Sequence, residues 1–276
     1  MKRPLPRGSA IDEDRLAEWV ALFAQYNHSV TIGGIERWLQ LFRADDRDIA
    51  ARILDCVHFI TNEQIVAAFR SILSNLPGWD KDETRRSGKW RFVPFTASSG
   101  ESGDTMTHKF RRANNLNFKK YNHLFVYKRD LLLEELTTED SVVFIDDFSG
   151  TGEQVGKTWG ETLQTELLPG KPNVFLVLVA TSTAARTRIE EDTDLRVNSH
   201  IELTEEDNCF SPRCRHFSSH EKGIIENYCR RANNREPRGR GNCGFVVVFA
   251  HGCPNNSIPI LHSYHPRWRG LFRRDD

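Results

Sequence analysis

The sequence has no long apolar run. Its longest uninterrupted apolar stretches are Val174–Ala180 and Phe245–Ala250, whereas a helix that crosses a bilayer needs about 20 apolar residues. The first residues, MKRPLPRGSAIDEDRL, also lack the apolar stretch that follows the positive residues of a secretory signal. We therefore expect a cytoplasmic protein without a membrane partner.

Cysteine is scarce, and neither sign of charge is in excess. Six cysteines among 276 residues do not make a disulfide framework, and they fit a reducing compartment. The 38 basic and 38 acidic side chains cancel, so no global field draws the chain to nucleic acid. The arginines are unevenly spread, however, and for the tail both a solvated basic surface and a nucleic-acid groove are open. The arginines concerned are Arg230, Arg231, Arg235, Arg238, Arg240, Arg267, Arg269, Arg273 and Arg274.

A zinc site is not expected either. Cys209, Cys214, His216 and His220 imitate one, but the spacing of the two cysteines is loose and no second Cys-x-x-Cys pair follows.

Apolar residues at helical spacing fill the first part of the chain. Four stripes predict three or four short helices between residues 11 and 76. We interpret residues 1–78 as a small α-helical module of the helix-turn-helix or winged-helix kind. A packing role and nucleic-acid binding are both open for this module, although none of its helices has a dense Lys/Arg face. The stripes are Leu16, Trp19, Val20, Phe23; Ile35, Trp38, Leu39, Phe42; Ile49, Ile53, Leu54, Val57; and Ile65, Ala68, Phe69, Ile72.

The pattern changes to strands alternating with helices after the polar, turn-rich segment 77–84. The predicted strands are continuous apolar runs, which favours a mostly parallel sheet covered on both faces. Residues 85–276 are therefore predicted to form an α/β domain. Its predicted strands are Trp90–Phe95, Val142–Ile145, Val174–Ala180 and Phe245–Ala250, and its predicted helices cover residues 152–168, 184–191 and 221–232.

The segment VVFIDDFSGTGEQ, residues 142–154, predicts a phosphate-binding loop. Its two acids, Asp146 and Asp147, end an apolar strand, and ligands of open α/β sheets bind at the carboxyl ends of strands. The glycines of Ser149–Gly152 let the backbone approach an anion, and the following helix start offers free N–H groups. Two carboxylates beside an anion site would repel phosphate unless they hold sugar hydroxyls or a magnesium ion, with Asp146 the candidate metal ligand.

Two common phosphate loops do not fit this segment. A P-loop that ended at Gly156-Lys157-Thr158 would need glycine at position 151, which is threonine. A dinucleotide fingerprint that began at Gly150 would need glycine or alanine at position 155, which is valine.

The run VVFIDDFSGTG resembles the ribose-phosphate motif of the type I phosphoribosyltransferases. The resemblance implies that Asp146 and Asp147 contact ribose hydroxyls, and that Gly150, Thr151, Gly152, Glu153 and Gln154, together with Ser149, surround the 5-phosphate. It places Ser98, Ser99 and Gly100 in a pyrophosphate loop, and Lys109, Arg111 and Arg112 in a catalytic hood. Gly150 and Gln154 depart from the pattern, because the family usually has hydroxyl residues there.

The helical module and the end of the chain, residues 245–273, look like phosphoribosyltransferase-like proteins of bacterial anti-phage systems. This resemblance implies an effector in antiviral defence, acting beside a partner protein or a nucleic acid. The expected ligand is phosphoribosyl pyrophosphate or a nucleotide, with Mg²⁺ as cofactor. In an enzyme, Lys109 and Arg111 would neutralise the pyrophosphate while Asp146 and Asp147 hold the ribose. The alternative is a non-catalytic sensor, or partner-binding or nucleic-acid-binding module, that uses the same pocket.

Overall fold

The computed structural model describes residues 11–95, 102–131, 133–160 and 170–274. Three helices come first, and helices and strands then follow one another along most of the chain. They are α1 Glu13–Leu22, α2 Ile32–Leu39, α3 Arg47–Cys56, β1 His58–Ile60, α4 Asn62–Asn75, β2 Trp90–Pro94, α5 Ser102–Ala113, α6 Lys128–Leu131, β3 Ser141–Ser149, α7 Glu153–Thr158, β4 Asn173–Ser182, α8 Thr183–Asp192, β5 Arg196–Leu203, α9 Ser219–Ala232, β6 Val247–Phe249, β7 Tyr264–His265 and β8 Trp268–Arg269. Within these ranges, no helix has the length and apolar content needed to cross a membrane.

The chain divides into two compact units. Residues 63–204 form the first, which we call the sheet unit. Residues 1–62 and 205–276 form the second, which we call the terminal unit because it contains both ends of the chain.

A four-stranded parallel sheet in the order β2-β3-β4-β5 is the framework of the sheet unit. The sequence predicts a strand–helix–strand unit with two parallel strands, and the structure confirms that these strands, β3 and β4, are adjacent and parallel. The structure is therefore α/β with a mostly parallel sheet, as the sequence predicts. Of the predicted helix 152–168, the described part starts at Glu153, and residues 161–169 lie outside the described residues.

Both faces of this sheet are covered by apolar side chains. On one face Phe92 of β2 packs against Phe110 of α5, with ring centroids 5.1 Å apart. On the other face Val142 and Phe144 of β3 share a core cluster with Val155 of α7. The alternation of side chains along a strand thus gives β3 one face towards α5 and another towards α7.

The terminal unit is built around aromatic residues from both ends of the chain. The short strand β1 pairs in parallel with β6. The indole N–H groups of Trp38 and Trp268 both donate to the carbonyl oxygen of Ile260, at 2.8 and 3.1 Å. Phe272 packs edge-on against Phe23 and Tyr26, with centroid distances of 4.9 and 5.2 Å.

The division of the chain differs from the boundary expected near residue 78. α4 belongs almost wholly to the sheet unit, because its Phe69 packs on Phe110, at 5.4 Å between ring centroids. The expected linker 77–84 is also tied to that unit, since Trp79 packs on Trp90 at 5.2 Å. The predicted strand Phe245–Ala250 shortens to β6 and pairs with β1 rather than with the four-stranded sheet.

Candidate functional site

The strand that carries the two acids is longer than the sequence predicts. β3 runs through Asp146 and Asp147 to Ser149, and it pairs with β4 along this whole length. Its pairing with β2 ends where Pro94 faces Ile145. The acids therefore lie on a part of β3 that extends past the paired length of β2, at the carboxyl edge of the sheet where parallel sheets bind ligands.

Strand alternation directs the two carboxylates to different faces. Asp147 follows Val143 and Ile145 on the face that α5 covers, since Val143 is the partner of Phe92 in the ladder. Asp146 follows Val142 and Phe144 on the face of α7. Asp146 also turns back on the backbone, because its Oδ1 accepts the N–H of Asp147 at 2.9 Å. The two carboxylates therefore lie on opposite faces of the end of β3, and they can contact a ligand from both faces.

One of the predicted cationic side chains, that of Lys109, lies near the two acids. Lys109 on α5 is half-buried, and it interacts electrostatically with Asp147. Burial lowers the pKa of the Lys109 ammonium below its usual value, and the carboxylate of Asp147 opposes that shift. Lys109 and Asp147 thus form a facing pair of opposite charges at the strand end.

Arg111, the second predicted cation, is placed elsewhere. Residues two apart on a helix do not share a face, so Arg111 does not follow Lys109. Its Nε donates to the carbonyl oxygen of Leu116 at 3.2 Å, its Nη2 donates to Asn122, and its guanidinium lies 4.7 Å from the ring centre of Phe125. These contacts engage the guanidinium at the carboxyl end of α5, and its role in the hood stays a prediction.

Two buried hydroxyl groups at the end of β4 hold the loop after β3 in place. Thr181 Oγ1 donates to the carbonyl oxygen of Ser149 at 3.1 Å, and Ser182 Oγ donates to that of Gly150 at 2.8 Å. Ser182 Oγ also accepts the N–H of Ala185 at 2.9 Å as the N-cap of α8. One hydroxyl therefore joins the loop to the start of a helix. Sequence reasoning missed both residues, although a serine directly before a helix is a recognisable N-cap signal.

Gly152 allows the loop to pass close to α8. Its φ of +72° is in the left-handed region, which glycine adopts without steric cost. A Cβ at this position would lie 3.0 Å from the carbonyl oxygen of Ala185 and 3.1 Å from Ile189. The second glycine of the Gly-Thr-Gly sequence is therefore required by the turn and by the packing.

One of the N–H groups expected to be available at the start of α7 already has a partner within the loop. The N–H of Glu153 donates to Thr151 Oγ1 at 3.3 Å, on the exposed side of the loop. Such a long neutral bond is weaker than the charge-assisted bond that a phosphate oxygen would accept. Gly156 N–H donates to the carbonyl oxygen of Gly152 at 2.9 Å and starts α7. The exposed side chains of Glu153 and Gln154 border the loop.

Other predicted residues cannot be placed. The pyrophosphate loop of Ser98, Ser99 and Gly100 lies outside the described residues.

A magnesium ion would fit the hard oxygen donors of Asp146 and Asp147. In the described part of the chain, no three His, Cys, Asp or Glu side chains come together as a metal site. Magnesium in such a setting binds through one or two carboxylates together with oxygens of the substrate and water.

The sequence model of the PRTase-CE family, which is phosphoribosyltransferase-like, matches residues 35–274. The chain belongs to the PRTase-CE family. The match covers most of the chain and includes both the loop after β3 and the two acids before it. Membership confirms the resemblance on which the ribose-phosphate assignment rests. A comparison with curated proteins finds no match.

Proposed function

We propose that this PRTase-CE protein binds the ribose 5-phosphate group of phosphoribosyl pyrophosphate or of a nucleotide at the loop after β3. The supporting observation is the position of Asp146 and Asp147 on the extended end of β3, directly before the tight turn at Gly152 and beside Lys109. The acids would accept hydrogen bonds from ribose hydroxyls, and the loop would take the phosphate. We propose that the chain transfers the phosphoribosyl group onto or off a nucleotide or nucleic acid.

In the transfer reaction, the bond from ribose C1 to pyrophosphate breaks and a bond from C1 to the acceptor nucleophile forms. Pyrophosphate leaves with the bonding electron pair, and the acceptor gives up its proton to a base, for which the exposed carboxylate of Glu153 is available. The Lys109 ammonium would neutralise charge that develops on the leaving group. Magnesium, held by Asp146, would add positive charge at the pyrophosphate oxygens.

A non-catalytic nucleotide sensor is the second candidate. Thr151 already accepts the amide of Glu153, and Gly150 and Gln154 stand where the wider phosphoribosyltransferases carry hydroxyl residues. Both features reduce the number of donors around the phosphate. A sensor needs binding only, so it tolerates such a loop better than an enzyme does.

The decisive experiment measures binding and turnover on the same variant. Asp146→Asn with Asp147→Asn keeps side-chain size and removes two charges, each of which supports hydrogen bonds worth about 1.5–3 kcal/mol. We expect affinity for phosphoribosyl pyrophosphate, measured by calorimetry with magnesium, to fall by roughly one to two orders of magnitude. Removal of magnesium should weaken binding to the wild type more than to the variant.

The control has the same change of net charge at exposed positions, Glu191→Gln with Asp194→Asn, and it should bind like the wild type. Unaltered affinity in the Asp146/Asp147 variant would contradict the proposed site. Pyrophosphate release by the wild type in the presence of nucleotides or oligonucleotides would identify an enzyme, whereas tight binding without release would favour the sensor.

We also propose a role in bacterial antiviral defence, which the resemblance of residues 245–273 to anti-phage proteins supports. Cells that carry the gene should resist phages that plate efficiently on cells carrying the Asp146/Asp147 variant. Equal plating on both strains would contradict this role.

A further inference from the structure

A cavity in the terminal unit is lined mainly by arginine and asparagine. It has a volume of about 760 Å³ and lies between the carboxyl end of α9 and the β7–β8 hairpin. This volume is in the range of cavities that hold ligands of nucleotide size. Its polar lining consists of Arg230, Arg231, Asn233, Asn234, Arg235, His265 and Arg267, and we call it the arginine cavity.

The positive charge of this cavity is only partly neutralised by the protein. Arg230 is paired with Glu226, which also accepts from Arg238. For Arg235 and Arg267, both exposed, no carboxylate partner occurs among the described residues. The segments 230–240 and 262–274 together contain nine arginines and one acid, Glu236. A cavity with this excess of charge attracts anions.

The arginines are held in place rather than scattered on a mobile surface. The guanidinium of Arg231 lies over the rings of Tyr228 and Trp268, at 5.2 and 5.7 Å from their centres. His265 links the β7–β8 hairpin to the end of α9, because its Nε2 contacts the carbonyl oxygen of Ala232 at 2.9 Å. Its Nδ1 accepts the N–H of Arg267 at 3.2 Å within the hairpin. These contacts fix the spacing between α9 and the hairpin.

The same segment is held on its other side by an asparagine. Asn233 Oδ1 accepts the N–H groups of Arg235 and Glu236, at 3.0 and 3.3 Å, which shapes the turn that carries Arg235. These bonds fix the backbone from which the Arg235 side chain projects. A preformed backbone of this kind loses less conformational entropy on binding than a flexible one.

We propose that the arginine cavity binds single-stranded nucleic acid through its phosphates. The planar fork of a guanidinium matches phosphate oxygens, and the asparagine amides add neutral donors. Tyr264 precedes His265 in β7 and lies outside the cavity lining. Its side chain is more than half exposed, at 53%, and the guanidinium of Arg273 covers one face of its ring at 4.9 Å. Unpaired bases stack on exposed aromatic rings of this kind. This binding is separate from the ribose-phosphate site proposed above.

The lining favours a nucleic-acid strand over an acidic protein partner. A protein interface has an apolar, desolvated core surrounded by a polar rim, whereas most of the described residues that line this cavity carry a guanidinium, imidazole or amide group. A concave cavity of this volume also suits a flexible strand with splayed bases better than the broad convex surface of a duplex.

The test is a fluorescence-anisotropy titration of the full chain with labelled oligouridine and oligothymidine, and with a duplex and free uridine monophosphate for comparison. We expect binding to both single strands, with log affinity falling as log salt rises by about 0.7 for each phosphate contacted. Arg235→Gln with Arg267→Gln should weaken binding by about tenfold and reduce the slope by about 1.4. The matched control, Arg85→Gln with Arg213→Gln, removes two exposed and paired arginines and should bind normally.

Equal affinities of the two double variants would overturn the proposal. So would a preference for the duplex, affinity independent of salt, no measurable binding of either single strand, or binding of uridine monophosphate as tight as that of the oligonucleotides.

Discussion

Lys109 illustrates what a single residue contributes at the candidate site. It is placed on the flank of a buried helix face, where burial disfavours its charge, and its compensating partner is Asp147. A lysine in this position costs stability while it is charged. That cost is consistent with selection for binding an anionic ligand rather than for folding.

Replacing Lys109 with methionine should stabilise the ligand-free protein slightly at neutral pH. Burial lowers the pKa of this lysine in the folded state, so the unfolded chain binds its proton more tightly and stability from this residue rises with pH. The advantage of the variant should therefore shrink as the pH rises towards the unfolded pKa of about 10.4. Thermal unfolding across neutral and alkaline pH measures this difference.

The exposed Lys119 provides the matched control. Lys119→Met should show neither the stabilisation nor its pH dependence. Affinity for phosphoribosyl pyrophosphate should fall only in Lys109→Met. A loss of stability in Lys109→Met that is constant across pH would mean that burial does not penalise this ammonium.

At the scale of elements, Ser182 connects the end of β4, the loop after β3 and the start of α8. Its hydroxyl donates to Gly150 and accepts from Ala185. Gly152 packs against the same helix. The conformation of the loop is therefore set by the neighbouring strand and helix, and the loop does not need a ligand to hold it in place.

Ser182→Ala should destabilise the sheet unit by about 2 kcal/mol, from the lost N-cap of α8 and the lost hydrogen bond to the carbonyl oxygen of Gly150. Urea unfolding measures this loss, and affinity for ribose 5-phosphate should decrease in parallel because the loop is released. Ser74→Ala, which removes an exposed hydroxyl from α4, is the control. A change below about 0.5 kcal/mol for Ser182→Ala, the scale of ordinary surface substitutions, would show that water replaces both hydrogen bonds.

The helices and strands that the sequence predicts are those with a continuous apolar run or a regular apolar stripe. Val142–Ile145 and Val174–Ala180 are continuous apolar runs, so their strands were predictable, as were the helices with regular stripes. β5 was missed because it has buried residues at Val197 and Leu203 while Arg196 and His200 are exposed, a pattern typical of an edge strand with one solvated face. β1 has only three residues.

The candidate site was predictable only as far as its local motif. Asp146, Asp147 and the Gly-Thr-Gly turn are contiguous, and a local pattern identifies them. The pairing of Lys109 with Asp147 and the support from Ser182 depend on which residues the fold brings together, and no local pattern contains that information. The contacts of Arg111 with Leu116 and Asn122 likewise depend on how the chain continues after α5, so a local pattern does not contain them.

At the scale of the whole molecule, the terminal unit depends on residues from both ends of the chain. Phe272 is fully buried, and it fills the space between Phe23 and Tyr26. The same unit places Trp268 and Trp38 on one carbonyl group. Composition predicts a boundary at the polar segment 77–84, and it contains no information about these contacts between distant parts of the chain.

Phe272→Ala should cost about 3–5 kcal/mol, because a large buried ring is removed and a cavity is left. Hydrogen exchange should show the loss of protection in α1, α2 and β1, and much less in β3 and β4, since Phe272 belongs to the terminal unit. Phe118→Ala removes a ring that is 58% exposed and should change little. Equal loss of protection in both units would mean that they unfold as a single cooperative body.

The two-part terminal unit also fixes the order in which the protein can acquire structure during translation. The helices of residues 13–56 leave the ribosome before the sheet unit, but their aromatic partners at Trp268 and Phe272 are synthesised after it. Residues 63–204 are complete earlier and can form their sheet while synthesis continues. Until residues 263–274 emerge, Phe23 and Trp38 lack the aromatic partners that bury them in the folded chain. Premature termination before these residues would therefore leave a folded sheet attached to an unfinished helical unit.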